Sequence, residues 1–360
     1  MNLYLKSRQF IFFPISLSHS VNLRFVNEIQ NKMNRVSRIK IGVIGVGHLG
    51  NHHAKHLSNI PEANLIGVFD TDREKSNSIS KKYNTETFED LNTLIQSCEA
   101  LSVVTPTQYH AEIAEQCLLS KKHVFIEKPI TSTLSEADNL LGLAKKSGTI
   151  IQVGHIERLN PALLALKSHV LEPKYIEVQR LAPYTTRGTE VPVVLDLMIH
   201  DIDIVLALAK SPVKTIHASG LSIMTDSVDM ANARIRFENG TIANITSSRI
   251  AKDKVRKLKA FQDEMYVTID FLLGLAEVYR IVNRKDPKAL MTVPLSGEGG
   301  RKQIIYEKPT VHSADPLRME LSNFIDSIKG NATPIVSGVD GREALKVAIQ
   351  IHEMILEDLH

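Results

Sequence analysis

Ile39-Lys40-Ile41-Gly42-Val43-Ile44-Gly45-Val46-Gly47-His48-Leu49-Gly50 carries the strongest local signal in the chain. A short β-branched run stops at Gly45, and the residues after Gly47 open a helical pattern. In such a strand–turn–helix, Gly45 permits the tight turn and Gly47 lets the backbone approach a pyrophosphate. Gly50 allows close helix packing, and the backbone of Val46, His48 and Leu49 completes a cradle that faces the anion with helix N-terminal amides. The next apolar run, 64–69, ends at Asp70, where a carboxylate can accept hydrogen bonds from an adenosine ribose. A negative charge there repels a 2′-phosphate, so NAD is expected rather than NADP. Arg73 reads as a solvated residue at a helix start.

Working outward, short runs rich in Val and Ile at 39–45, 64–69, 100–104, 123–126 and 149–153 alternate with longer helical patterns. Strands apolar on both faces, separated by helices, indicate a doubly wound parallel sheet, an α/β Rossmann domain over 36–157. After Asn160-Pro161 the pattern changes. A helix to about Val170 precedes runs at 174–181, 213–220, 232–237, 241–247 and 258–270, with a helical stretch at 194–208. Ala233, Ile235 and Phe237 alternate with Arg234 and Arg236, and Asn239-Gly240 supplies a tight turn. The expectation for 158–360 is an α+β domain with an open, largely antiparallel sheet, closed by helices at 317–328 and 342–356. Residues 297–300 read as a mobile loop. Residues 1–35 read as a disordered N-terminal extension, with the functional chain beginning near Met33.

The 360 residues suffice for two domains. Lys and Arg total 43 against 40 Asp and Glu, and a formal charge of +3 lacks the basic excess of a nucleic-acid binder. No apolar run is long enough for a membrane span. Two cysteines, Cys98 and Cys117, cannot build a disulfide framework and fit a reducing, cytoplasmic setting. His48, His52, His53 and His56 crowd the first helix, but a zinc site would need a third ligand at the right spacing, and no metal is expected.

Thr105-Pro106, shortly before His110, and Glu127-Lys128 both end strands at the carboxyl edge of the first sheet, where ligands of open α/β folds bind. Lys128 would sit beside the nicotinamide end of the cofactor. Asp196 and His200 are four apart, hence on one face of a helix. The carboxylate would orient the imidazole as a general base for a hydroxyl that loses its carbon-bound hydride. Asp201 and Asp203 read as residues that favour the helix dipole.

Taken in order, the glycine loop, Asp70, Thr105-Pro106, Glu127-Lys128-Pro129 and Asp196-(three residues)-His200 resemble the glucose–fructose oxidoreductase, inositol dehydrogenase and MocA family (Gfo/Idh/MocA) of NAD(P)-dependent sugar oxidoreductases. The resemblance implies a Rossmann domain joined to an α+β domain used for homodimer or homotetramer contacts, with Lys128, Asp196 and His200 as the catalytic set. The segments 154–161 and 180–188 look like the branch acting on nucleotide-linked amino sugars. That branch implies a sugar-nucleotide substrate held by Arg158, Asn160, Arg180, Arg187, Asp196 and His200, with the arginines pairing a diphosphate. It also implies a 3-keto product passed to an aminotransferase. Oxidation of a free polyol or an inositol, and a regulator that binds NAD without catalysis, are the alternatives.

Overall fold

A computed structural model describes residues 38–185, 191–283, 291–294 and 302–359. The expectations for the N-terminal extension, the loop at 297–300 and Arg187 lie outside the described residues. Six strands form a wholly parallel sheet: β1 (Ile39–Ile44), β2 (Ala63–Phe69), β3 (Glu86–Thr87), β4 (Ala100–Val103), β5 (His123–Glu127) and β6 (Ile151–Gly154). Their spatial order is β3-β2-β1-β4-β5-β6. The order reverses between β1 and β4, which opens a crevice beyond their carboxyl ends. The helices between the strands are α1 (His48–Leu57), α2 (Arg73–Tyr83), α3 (Leu91–Ser97), α4 (His110–Leu119) and α5 (Leu134–Ser147). Local chemistry sets their ends. Asp72 caps α2 by accepting from the amides of Glu74 and Lys75, and a Thr133–Glu136 capping box starts α5.

Beyond β6, the helix expected to reach Val170 is a single turn, α6 (Pro161–Leu164), followed by turns. A nine-stranded sheet follows: β7 (Tyr175–Leu181), β8 (Val213–Leu221), β9 (Met230–Phe237), β10 (Ile242–Ser248), β11 (Val255–Gln262), β12 (Met265–Asp270), β13 (Leu275–Val282), β14 (Met291–Pro294) and β15 (Gln303–Glu307). It is antiparallel except where β7 and β10 run parallel. The run expected as one strand at 258–270 is a hairpin instead, because the chain reverses at Glu264, whose φ is +56°. One face of this sheet is covered by α7 (Ile199–Ala209) and the C-terminal helix α9 (Gly338–Leu359), which share a core with Ile176, Ile235, Ile245 and Leu258. The other face carries a row of rings, Tyr175, Phe261, Tyr266, Tyr279 and Tyr306, with adjacent centroids 4.5 to 5.8 Å apart.

Helix α8 (Pro316–Ile328) returns to the first sheet: Leu321, Phe324 and Ile325 share a core with Ile41, Val43 and Phe125. Among the described residues no helix is long and apolar enough to cross a membrane.

Candidate active site

The glycine turn has the shape its sequence implies. Gly45 has a φ of +84°, and a β-carbon there would lie 2.8 Å from the Val104 carbonyl oxygen. A β-carbon on Gly50 would lie 1.9 Å from the Gly45 carbonyl oxygen, so only glycine lets α1 start directly against the turn. Gly47 has no atom within 4 Å of the place a β-carbon would take. It opens on a cavity of about 730 Å³ that Gly45, Gly47, His48, Leu49, Asp70, Thr105 and Pro106 help to line. No side chain caps the start of α1, and its first turn holds no acidic residue, which leaves its amides to an anion. Asp70 is fixed at the mouth by two amides: its Oδ2 accepts from Val46 at 2.7 Å and its Oδ1 from Asp72 at 2.9 Å. Each oxygen keeps a lone pair for a further donor. This open cradle, with its size and fixed carboxylate, fits a dinucleotide. Arg73 pairs with Glu89 at 3.6 Å and is largely exposed. A larger cavity, about 930 Å³, lies far from these motifs, around His169, Arg280 and Glu307.

Three residues expected against the cofactor are engaged otherwise. Val46 spends its amide on Asp70. His110 is buried with its ring between two carbonyls, Nδ1 2.9 Å from that of Pro129 and Nε2 2.8 Å from that of Thr105, to one of which its single N–H donates when the ring is neutral. It braces the loops at the sheet edge instead of facing the cavity. Glu127 is bound from behind: its Oε1 meets Nε2 of the buried His53 at 3.0 Å, while Oε2 accepts from the Lys128 amide at 3.2 Å. His53 contacts Ser102 Oγ through its other nitrogen at 2.8 Å. Burial works to raise the Glu127 carboxyl, but His53 and Lys128 prevail and hold it below its ordinary range.

Lys128, at the carboxyl end of β5, reaches the start of α7. Its Nζ donates to the Asp196 carbonyl at 2.8 Å and to Asp196 Oδ1 at 3.2 Å. Asp196 therefore does not orient His200, as the four-residue spacing predicts. The backbone winds as a π-turn over Val194–Met198, which displaces that spacing from one face, and the carboxylate goes to the ammonium. Among the described residues His200 Nδ1 is buried without a hydrogen-bond partner. Burial, then the charges of Lys128 and Arg180, hold its pKa well below the ordinary 6.5, which makes it a neutral base. The buried His155 ring stands edge-on to it, centroids 6.2 Å apart, and neither of its nitrogens has a hydrogen-bond partner among the described residues.

Two of the arginines expected on a diphosphate, Arg158 and Arg180, are internal. Arg158 grips Asp203 bidentately at 2.7 Å through Nε and Nη2 and donates from Nη1 to the Ile335 carbonyl. Arg180, 3% exposed, holds Asp201 bidentately at 2.8 Å and reaches Glu157 at 3.0 Å. Asn160 caps α6 by accepting from the Ala162 amide, and it donates to Glu157. Asp201 and Asp203 are thus counter-ions in the core instead of groups placed for a dipole. The signal was in the sequence: Ile199–Ala209 is apolar nearly all round, so charges within it must be buried and need partners.

A Rossmann cradle at the switch point, with a lysine and an unprotonated histidine at the carboxyl edge, defines a nicotinamide-dependent oxidoreductase. A family model described as "Oxidoreductase family, NAD-binding Rossmann fold" matches residues 39–155, and the GFO/IDH/MocA C-terminal domain matches 163–268. The chain belongs to the Gfo/Idh/MocA family and is an oxidoreductase acting on CH–OH donors. It is 33% identical to UDP-N-acetylglucosamine 3-dehydrogenase of Acidithiobacillus ferrooxidans over 314 residues, 87% of this chain and 96% of that one. A solved structure of that enzyme matches with a TM-score of 0.80 at 32% identity, over 88% of this chain and 97% of that one. The myo-inositol 2-dehydrogenase of Thermotoga maritima is 27% identical over 328 residues, 85% of this chain and 93% of the relative.

Proposed function

We propose that this enzyme oxidises the C3 hydroxyl of UDP-N-acetylglucosamine to a 3-keto sugar, with NAD, in the cytoplasm. The product then goes to an aminotransferase in the synthesis of a diamino-sugar precursor of lipid A. The choice of substrate leans on the relative that is 33% identical across most of both chains. The observation that carries the chemistry is the placement of Lys128 on Asp196 beside a neutral His200. Two of the three Lys128 protons go to Asp196, and the third is left for the reacting oxygen. His200 takes the hydroxyl proton, and Lys128 steadies the negative charge that grows on the oxygen. Asp196 acts as a positioning residue. Residues 45–50 and Asp70 would hold a dinucleotide, which would supply the hydride acceptor. Asp70, held by amides, disfavours a 2′-phosphate, and Arg73 is turned to Glu89, so NAD is favoured over NADP. The open ring-bearing face of the nine-stranded sheet suits the homodimer or homotetramer contacts that the family resemblance implies.

One observation favours a second reading. With Arg158 and Arg180 consumed internally, two of the three expected diphosphate contacts are lost, as a free polyol substrate would allow. The test is NADH absorbance with UDP-N-acetylglucosamine, with and without a coupled aminotransferase and glutamate, beside myo-inositol. Turnover of the sugar nucleotide that rises with coupling is expected, and turnover of inositol alone would replace this assignment. Lys128→Ala and His200→Ala should each lower turnover about 100-fold or more while NAD still binds. Normal turnover in either would remove that residue from the reaction.

A further inference from the structure

We infer that Arg256 is the residue that reads the anionic, diphosphate end of the substrate. Strand β11 alternates: Leu258 and Ala260 are buried in the core shared with α7, and the period of two places Arg256 on that same covered face. It stands opposite Arg180 in the β11–β7 register, and Arg180 is locked to Asp201, the neighbour of His200. The two arginines share one acceptor, Glu157 Oε1, at 3.0 Å from Arg180 and 3.2 Å from Arg256.

There the likeness ends. Arg180 is 3% exposed and uses all three of its nitrogens, whereas the Arg256 side chain is 44% exposed. Among the described residues the Arg256 side chain makes only the bond from its Nη1 to Glu157. Its Nε and second terminal nitrogen remain available, and together they form the planar fork that matches two phosphate oxygens. Its charge also reaches the catalytic end, where it adds to the burial and to the charges of Lys128 and Arg180 that hold the His200 pKa down. Glu157 already bonds Arg180 and Asn160, so losing part of its contact with Arg256 to a ligand leaves it satisfied.

This assignment rests on the sugar-nucleotide reading, and one set of measurements separates the two. Full-length enzyme loaded with NAD is titrated with UDP by calorimetry, and UDP-N-acetylglucosamine kinetics are taken for wild type, Arg256→Ala and Arg256→Lys. Loss of a charge-assisted bidentate contact should weaken UDP about 10- to 100-fold in the alanine variant. It should raise KM for the sugar nucleotide by a similar factor, more than it lowers kcat. Lysine, which keeps the charge and can still reach Glu157, should fall between. A wild-type melting temperature for Arg256→Lys shows that its loss of affinity is not loss of fold. Unchanged UDP affinity and KM in both variants, with wild type active on UDP-N-acetylglucosamine, would remove Arg256 and leave the function standing. UDP binding that depends on Arg256 without oxidation of that sugar would keep the residue's role and discard the sugar. A wild type that binds no UDP would overturn both.

Discussion

Glu320 on α8 is fully buried, and neither of its carboxylate oxygens has a hydrogen-bond partner among the described residues. Burial, followed by the charges of Glu127 and Asp203, pushes its pKa well above the carboxylate range. It folds as a neutral acid. In the unfolded chain it ionises near ~4.3, so below that pH both states hold the proton and stability is unaffected. Above it only the unfolded state gives the proton up, and stability falls as pH rises toward the folded pKa. Glu320→Gln cannot titrate. Its melting temperature should therefore gain on that of wild type as pH rises above about 4.3, the stability gap widening by up to about 1.4 kcal/mol per pH unit while the folded state keeps its proton. A gap that stays constant above that pH would show that Glu320 is ionised in the native protein. Nothing in the sequence marks this residue, since Glu320 sits in an ordinary amphipathic helix whose packing against the first sheet is a tertiary fact.

At the scale of elements, the turn from β1 into α1 gives its second and third glycines the separate duties that the sequence assigns them. Gly47 borders open space, whereas a β-carbon on Gly50 would meet backbone, which cannot move aside as a flexible side chain can. Gly47→Ala should melt as wild type but bind NAD more weakly, because the added methyl enters the cavity. Gly50→Ala should lose NAD affinity and also about 1–3 kcal/mol of stability as α1 is forced off the turn. Melting curves with NAD titrations read both, and equal melting temperatures for the two would contradict the close approach at Gly50. The parallel sheet was legible because its strands are buried on both faces and read as continuous apolar runs. The outer strands β13 and β15 were not, since they are only partly covered and alternate weakly. The π-turn before α7 escaped for a different reason. The apolar pattern there continues without a break, and only the pairing of Asp196 with Lys128 reveals that the helical register has slipped.

Across the whole molecule, the ion pairs that replaced the expected diphosphate contacts tie the two sheets together. Arg158 follows β6 of the first sheet, holds Asp203 on α7 of the second layer and donates to Ile335 ahead of α9. Sequence order showed the arginines and aspartates but not which charges would be brought inside to meet. A ligand contact and a buried counter-ion use the same residue type. Truncating one partner strands the other, because Asp203 is 1% exposed and has no water to turn to. Arg158→Met should therefore cost about 3–5 kcal/mol in chemical denaturation. Arg158→Met combined with Asp203→Leu should recover most of that loss, since two apolar side chains restore packing without an unpaired charge. A ligand-binding arginine would behave otherwise: its removal would leave stability intact and raise KM. The denaturation midpoint of the single variant thus separates the two roles, and an unchanged midpoint would return Arg158 to the substrate. If the double variant recovers stability yet loses turnover, the pair sets the position of α7, and with it His200, as well as holding the core together.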